Sequence, residues 1–374
     1  MIDVLIVMDA LGTGGTERQM ELLLRHWPAS RARVRVLAFA ADAGDQARFE
    51  ELAPTTVLDR RGRGDLGFPL RFRDAVLASG ADVLLAPHRF AGLMSLSFAG
   101  RRDWPAVVCG IRGRHFFAIR QRILYGRVHP WLCERRASSV LVNARGEIEA
   151  LRNAHPGLEG RVHWVPNGVV VSRFDRHAER RDWCARHGGD PDRPVIASVG
   201  RLAEIKDPLA ALDLIEDQEL ARREVQLVWA GDGPLREKLT EAAGDRGIAD
   251  RLVLLGDVED PIDLLAVADV YVHPSRWENT SNAILEAMAA RCPVVARRVG
   301  GNEDLLQAGE AGLLFDGPRD FVSAVVSVLQ DPSSAEARCE VARRTIESRF
   351  SVDAMVETHL RYLEDAVSTP VVRA

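Results

Sequence analysis

Trp277-Glu278-Asn279-Thr280-Ser281-Asn282-Ala283-Ile284-Leu285-Glu286-Ala287-Met288-Ala289 follows the strand-like Val270-Tyr271-Val272-His273 and precedes Pro293-Val294-Val295-Ala296. A strand, a loop, a helix and another apolar strand in succession point to a parallel α/β sheet. Pro274 and Ser275 end the first strand, and Asn279, Thr280 and Ser281 are all competent helix N-caps. Glu278 is then expected in the loop at the helix mouth. Glu286 is expected about two turns into the helix, with Ile284, Leu285 and Met288 facing the core. A loop at the end of a parallel strand, feeding a helix N-terminus, is where such sheets bind anionic ligands. Two acids there can accept hydrogen bonds from sugar hydroxyls. The same spacing suits an ordinary solvated helix start, because acids are favoured at helix N-termini in any case.

Alternation extends to both sides of this stretch. Towards the N-terminus, Ile2 to Met8 reads as a strand, and Gly12-Thr13-Gly14-Gly15-Thr16 as a tight loop opening a helix from about Glu17 to Arg25. Glu17 stands where a dinucleotide fingerprint needs its third glycine, so the loop is not that motif. Its glycines still let a ligand approach bare backbone N–H groups. Further strands are expected at Val34–Phe39, Thr56–Leu58, Val83–Ala86, Val107–Ile111 and Val140–Asn143, separated by helices. Pro87-His88-Arg89-Phe90 sits at a strand end. Arg112 to Arg136 mixes Arg with Phe116, Phe117, Tyr125 and Trp131, a pattern that suits an anionic bilayer surface or an internal helix with a wet basic face. Asp175 to Pro194 is charged and Gly/Pro-punctuated, as a linker would be. After it the pattern restarts with strands at Val195–Val199, Val225–Ala230, Leu252–Leu255, Val270–His273, Val294–Ala296 and an outer Gly312–Phe315. Two Rossmann-like halves in series are expected, spanning 1–172 and 173–350, with a final helix in 351–374 crossing back to the first.

Composition sets the bounds. At 374 residues the chain is too long for one ordinary core. It is 47% hydrophobic and 28% charged, as soluble globular proteins are. No apolar run of about 18 residues occurs, and Met1-Ile2-Asp3 has no basic leader, so a cytoplasmic protein is expected, with membrane association at the inner surface as the variant. Cys109, Cys133, Cys184, Cys292 and Cys339 are scattered without a Cys-x-x-Cys pair, against a disulfide framework or a structural zinc site. Met1 to Asn167 carries 24 Arg against 17 acids, whereas the rest of the chain carries 25 basic residues against 37 acids. A basic first half can attract a membrane surface, a phosphorylated substrate or nucleic acid, and a scattered solvated surface is the commoner explanation. Lys206 and Lys238 are the only lysines among 49 basic residues, and a Lys kept against such a bias hints at a need for a compact point charge.

Read together, Gly12-Thr13-Gly14-Gly15-Thr16-Glu17, Asn167-Gly168-Val169, Val199-Gly200-Arg201-Leu202 with Lys206, Gly231-Asp232-Gly233, Glu278 and Glu286 with seven residues between them, and Val299-Gly300-Gly301-Asn302 resemble a family 4 retaining glycosyltransferase of the GT-B fold. The pieces occur in that family's order over nearly the whole chain. The resemblance implies two Rossmann-like domains facing across a cleft and a nucleotide-sugar donor, a UDP-sugar before a GDP-sugar. No cofactor and no metal are implied. It implies that Arg201 and Lys206 neutralise the departing diphosphate, that Glu286 binds the nucleotide ribose, and that Glu278 lies near the donor sugar and its anomeric centre. Gly14, Gly15 and Gly231 would allow close approach to the donor, and Asn282 and Ala283 would present backbone N–H groups to it. Retention is expected by front-face displacement, with a covalent adduct on Glu278 as the second route.

Two places depart from the family pattern. Where many relatives carry a loop His, this chain reads Cys109-Gly110-Ile111-Arg112-Gly113-Arg114-His115, so Arg112 occupies the position and His115 follows three residues on. His88 is a third candidate for the sugar and acceptor side. Asp304 stands where a Glu is usual. The acceptor is expected to be a hydroxyl on a glycan, a lipid-linked sugar or a small molecule, with peripheral contact to an anionic membrane if it is lipid-linked and with no nucleic acid. The competing functions are a nucleotide-sugar 2-epimerase and a catalytically inactive sugar-nucleotide-binding subunit.

Overall fold

The computed structural model describes residues 1–62, 64–111, 123–176 and 178–368. The chain divides into two compact units, one of Met1–Gly168 with Val352–Ala374 and one of Val169–Ser351.

The first unit is built on β1 (Ile2–Met8), β2 (Ala32–Ala38), β3 (Thr55–Val57), β4 (Val83–Ala86), β5 (Ala106–Ile111), β6 (Ser139–Val142) and β7 (Val162–Trp164), in the order β3-β2-β1-β4-β5-β6-β7. Every pairing is parallel. A parallel sheet needs crossover helices on its faces, so its central strands are apolar on both sides, as β4 is along its whole length. The strand order reverses between β1 and β4. The final helix, Val352–Ser368, belongs to this unit and packs beside β1, β4, β5 and the helix Gly15–Arg25. Met355, Val356, Leu360 and Leu363 are buried at helical spacing. Tyr362 stacks on His163 with ring centroids 4.1 Å apart, and Arg31 reaches Glu364 at 2.8 Å. Gly168 leaves room for this helix, since a Cβ there would lie 3.0 Å from the Met355 sulfur.

The second unit holds β8 (Val195–Val199), β9 (Gln226–Ala230), β10 (Leu252–Gly256), β11 (Val270–His273), β12 (Val294–Arg297) and β13 (Leu313–Phe315), in the order β10-β9-β8-β11-β12-β13, again all parallel. Here the order reverses between β8 and β11. Strand β13 lies at the edge, where the sequence placed an outer strand.

Two local expectations are corrected. The supposed linker at 175–194 contains a helix, Arg180–His187, inside the second unit. Its charges face solvent while Trp183 and Cys184 are buried, and Arg180 pairs with Asp269 at 2.7 Å, so a small buried patch outweighs a linker-like composition. The helix after Glu278 is Asn282–Ala289, capped by Ser281 whose hydroxyl accepts from Ile284 N–H at 3.3 Å. Glu286 therefore sits little more than one turn into the helix, not two. Among the described residues no helix is long and apolar enough to cross a membrane.

Candidate active site

Gly231 follows β9, and most of the other described residues singled out in the sequence lie where strand order reverses, outside the C-terminal ends of β1 and β4 in one unit and of β8 and β11 in the other. These are the positions where open parallel sheets leave a crevice.

In the second unit, two loops are locked together by contacts of their own. Asp207 has a left-handed backbone at φ +51°. It accepts from Arg276 at 2.9 Å and from Arg297 at 3.0 Å. Arg297 also donates to Pro274 O at 2.9 Å, and Arg276 N–H to Ile205 O at 2.8 Å. The loop after β8 is thereby stitched to the loop after β11, which brings the Lys206 ammonium onto Glu278 Oε1. Gly300, at φ +54°, closes beneath this loop, for a Cβ there would lie 1.7 Å from Glu278 O. Gly231 has a structural reason of its own: at φ +131°, its Cβ would lie 2.2 Å from Gly200 O.

The Glu278 carboxylate also accepts from His273 Nε2 at 2.9 Å. Burial favours its neutral form, but the His273 contact and the Lys206 ammonium outweigh it and hold the pKa down at about 2. Glu278 is thus an anion at any physiological pH, 11% exposed. Arg201 is exposed and has no ion-pair partner among the described residues, so a free guanidinium stands five positions before Lys206. Asn282 and Ala283 occupy the first turn of their helix, and Ile284, Leu285 and Met288 are fully buried, as expected. Glu286 is half-buried, and its charge reaches the Tyr271 phenol together with that of Glu278. Asp304 is turned to Arg349 at 3.5 Å.

In the first unit, Gly14 is the N-cap of the helix Gly15–Arg25. A Cβ on Gly14 would lie 2.4 Å from Glu17 Oε2, so the glycine lets the Glu17 carboxylate fold back over the loop. That carboxylate meets His88 Nε2 at 3.1 Å, and His88 Nδ1 accepts from Asp9 N–H at 3.3 Å. Asp9 in turn accepts from Ala91 N–H at 2.6 Å, at the start of the helix Arg89–Phe98. Burial raises the Asp9 pKa, against the lowering influence of His88 and the backbone N–H groups. Arg112 and His115 lie outside the described residues.

The sequence reading assigned no role to His273, Tyr271, Asp207, Asp9 or the pairing of Glu17 with His88. The available signal was Tyr271-x-His273, two polar side chains on one face of an otherwise apolar strand. It also found no grouping of cysteines, yet Cys109, His129 and Cys133 are brought together in the first unit with candidate ligand atoms within 4.8 Å, all buried. His129 and Cys133 are one helical turn apart, and Cys109 comes from β5. The two ring nitrogens stand 4.0 and 3.8 Å from Cys133 Sγ, so the imidazole offers its flank to the sulfur rather than aiming one nitrogen between the thiols. The ligand atoms of Cys109, His129 and Cys133 are close enough that the three side chains could hold a metal ion.

Known proteins share this chain's pattern. Residues 13–173 match the family model described as Glycosyltransferase Family 4, and residues 193–331 that described as Glycosyl transferases group 1. The alpha-D-kanosaminyltransferase of Streptomyces kanamyceticus is 32% identical over 228 residues, covering 59% of this chain and 58% of that one. The D-inositol 3-phosphate glycosyltransferase of Geodermatophilus obscurus is 34% identical over 249 residues, covering 61% of this chain and 54% of the relative. The chain thus spans little more than half the length of these curated relatives. Among solved structures, Anabaena HepE in complex with UDP and glucose is similar with a TM-score of 0.83 at 19% identity, over 97% of this chain and 100% of that one. At such identity the likeness speaks for the fold.

Proposed function

This chain belongs to the family 4 glycosyltransferases and carries their GT-B fold, and on that footing we propose that it moves a sugar from a nucleotide-diphosphate donor to an acceptor hydroxyl with retention of anomeric configuration. The observation that carries this reading is the pairing of an anionic Glu278 with Lys206 next to the unpaired Arg201. Departure of a nucleoside diphosphate builds negative charge, and two cations on one loop are suited to neutralise it as the glycosidic bond breaks. Glu278 places a fixed negative charge for the donor sugar, whose anomeric carbon becomes electron-poor at that moment. Glu286, with Asn282 and Ala283 at the helix start, serves the nucleotide. Gly14, Gly15 and His88 serve the sugar and acceptor side. The donor is a UDP-sugar, in line with the UDP held by HepE.

No cofactor or divalent metal enters this scheme, so EDTA should leave turnover unchanged. The deciding experiment follows nucleoside diphosphate release from a panel of UDP- and GDP-sugars, with and without hydroxyl acceptors. Glu278→Gln should lower turnover by about 100-fold or more, since it removes the charge but keeps the shape. Near-normal turnover of that variant would remove Glu278 from the chemistry. A new nucleotide sugar formed without acceptor would identify an epimerase, and donor binding without release an inactive subunit.

The acceptor side carries one further element. Ile123 and Trp131 are exposed, and Arg135 lies over the Trp131 ring at 4.3 Å. This basic aromatic surface suits peripheral contact with an anionic bilayer and hence a lipid-linked acceptor. Co-sedimentation with anionic but not neutral vesicles is the expected result, and absence of binding to both would favour a small soluble acceptor.

A further inference from the structure

Behind Glu278 lies a buried chain of polar groups that the proposed chemistry does not use. Tyr271, His273 and Ser275 are at most 1% exposed. The Tyr271 hydroxyl is 2.9 Å from His273 Nδ1, His273 Nε2 is 2.9 Å from Glu278 Oε1, and Ser275 Oγ is 3.0 Å from the same Nε2. An ionised carboxylate only accepts, so Nε2 carries the proton and Nδ1 receives the phenol O–H. Burial lowers the His273 pKa and raises that of Tyr271, which keeps both groups neutral. The donors therefore all point one way, from Tyr271 through His273 to Glu278. The other titratable groups facing this chain are Lys206, from the loop after β8, Glu286, from the helix Asn282–Ala289, and the buried Cys292, just before β12.

We propose that His273, oriented by Tyr271, is the positioning residue that keeps Glu278 aimed and ionised when Lys206 is drawn to the donor diphosphate. The inference rests on the reading of Glu278 and Lys206 given above. Both Lys206 and His273 hold Oε1. If the ammonium also serves a phosphate, its hold on the carboxylate weakens at the very step where the carboxylate is needed. A buried acid deprived of its cation gains a proton or turns away. The imidazole N–H is part of the strand, answers to no ligand, and retains Oε1 throughout. Among the described residues no donor reaches Oε2, so that oxygen is left for the sugar.

The test compares His273→Leu, His273→Gln and Tyr271→Phe with the parent and with Glu278→Gln, measuring kcat, donor KM, the acid limb of the pH–kcat profile and Tm. His273→Leu should lower kcat by about 10- to 100-fold with donor KM little changed, and should move the acid limb upward as Glu278 becomes easier to protonate. His273→Gln, whose amide N–H reaches the same place as Nε2, should recover most of the loss. Tyr271→Phe should lie between the two. If His273→Leu keeps turnover within about twofold of the parent while Glu278→Gln is inactive, the positioning role fails and the reading of Glu278 stands. If Glu278→Gln is itself active, the underlying reading fails. Loss of kcat in step with Tm, without rescue by Gln, would also overturn the proposal as mere packing. Should His273→Leu not fold, Tyr271→Phe decides: an upward acid limb supports the relay, an unmoved one overturns it.

Discussion

Each unit places a carboxylate and an imidazole where its strand order reverses, Glu17 with His88 in the first and Glu278 with His273 in the second. The topology is the same and the electrostatics are not. His273 belongs to β11 itself, with a side chain only 2% exposed, and its carboxylate is shared with an ammonium. His88 stands just beyond β4 with a side chain 16% exposed, and no lysine occurs in that unit. In the second unit burial is outweighed by the His273 contact and the Lys206 ammonium, and the carboxyl is held at about 2. In the first unit the pKa of the half-buried Asp9 rises because burial outweighs His88 and the backbone N–H groups. Corresponding places on two related sheets thus differ: one carboxylate is shared between an imidazole and an ammonium, and the other meets a partly exposed histidine.

The sharpest way to break this contrast is at the glycine under Glu278. Gly300→Ala adds a Cβ 1.7 Å from Glu278 O at a φ of +54°, so the loop must move. A displacement of this kind should cost about 100-fold in turnover, with a lowered Tm. Unchanged kinetics would show that the position of Glu278 is immaterial. Next in size is Lys206→Met. Without the ammonium the carboxyl loses one of its two lowering influences, so its pKa rises from about 2 and the acid limb of the activity profile moves to higher pH. Donor KM should rise by roughly tenfold as a phosphate contact is lost, with acceptor KM unaffected. His88→Ala should do the reverse, raising acceptor KM by about five- to tenfold and leaving donor KM alone. If both variants changed the same constant, the division of labour between the units would fail.

What the sequence made legible follows from what its signals measure. Alternating apolar runs and glycine loops mark parallel strands and their crossovers, so both sheets and the edge strand Leu313–Phe315 could be read directly. The place of Glu278 at a helix mouth was legible because its loop and helix signals are local, whereas the roles expected of Glu278, Lys206 and Arg201 came from the family resemblance. Chain-distant contacts were not. Asp207 meets Arg297 across 90 positions, and Asp9 meets Ala91 across 82, with nothing in either neighbourhood to announce the partner. The helix Arg180–His187 was hidden for a different reason: only Trp183 and Cys184 in it are buried, and two residues leave no periodicity to detect. His273 was passed over because a histidine ending an apolar strand resembles a satisfied core residue until its carboxylate partner, five positions on, is seen to fold back.

The smallest expected effect tests the comparison through stability. Glu278 has a folded pKa of about 2 against an ordinary 4.5. Its contribution is fully present above about 4.5 and is lost as pH falls towards 2, and the linkage corresponds to at most about 3 kcal/mol. Asp9 has the opposite sign, because its folded pKa lies above the unfolded one. Folding is favoured while it is protonated, and that advantage disappears as pH rises through the folded value. Asp9→Asn keeps an oxygen to accept from Ala91 N–H while removing a charge that burial disfavours. It should therefore leave Tm unchanged or raise it by a few degrees at pH 7, and the gain should vanish in acid. Melting curves of the parent and Asp9→Asn between pH 4 and 8 would show the two traces converging as pH falls. A loss of Tm at neutral pH would mean that the Asp9 charge is held by His88 and the helix start more strongly than burial opposes it, and the first unit would then resemble the second after all.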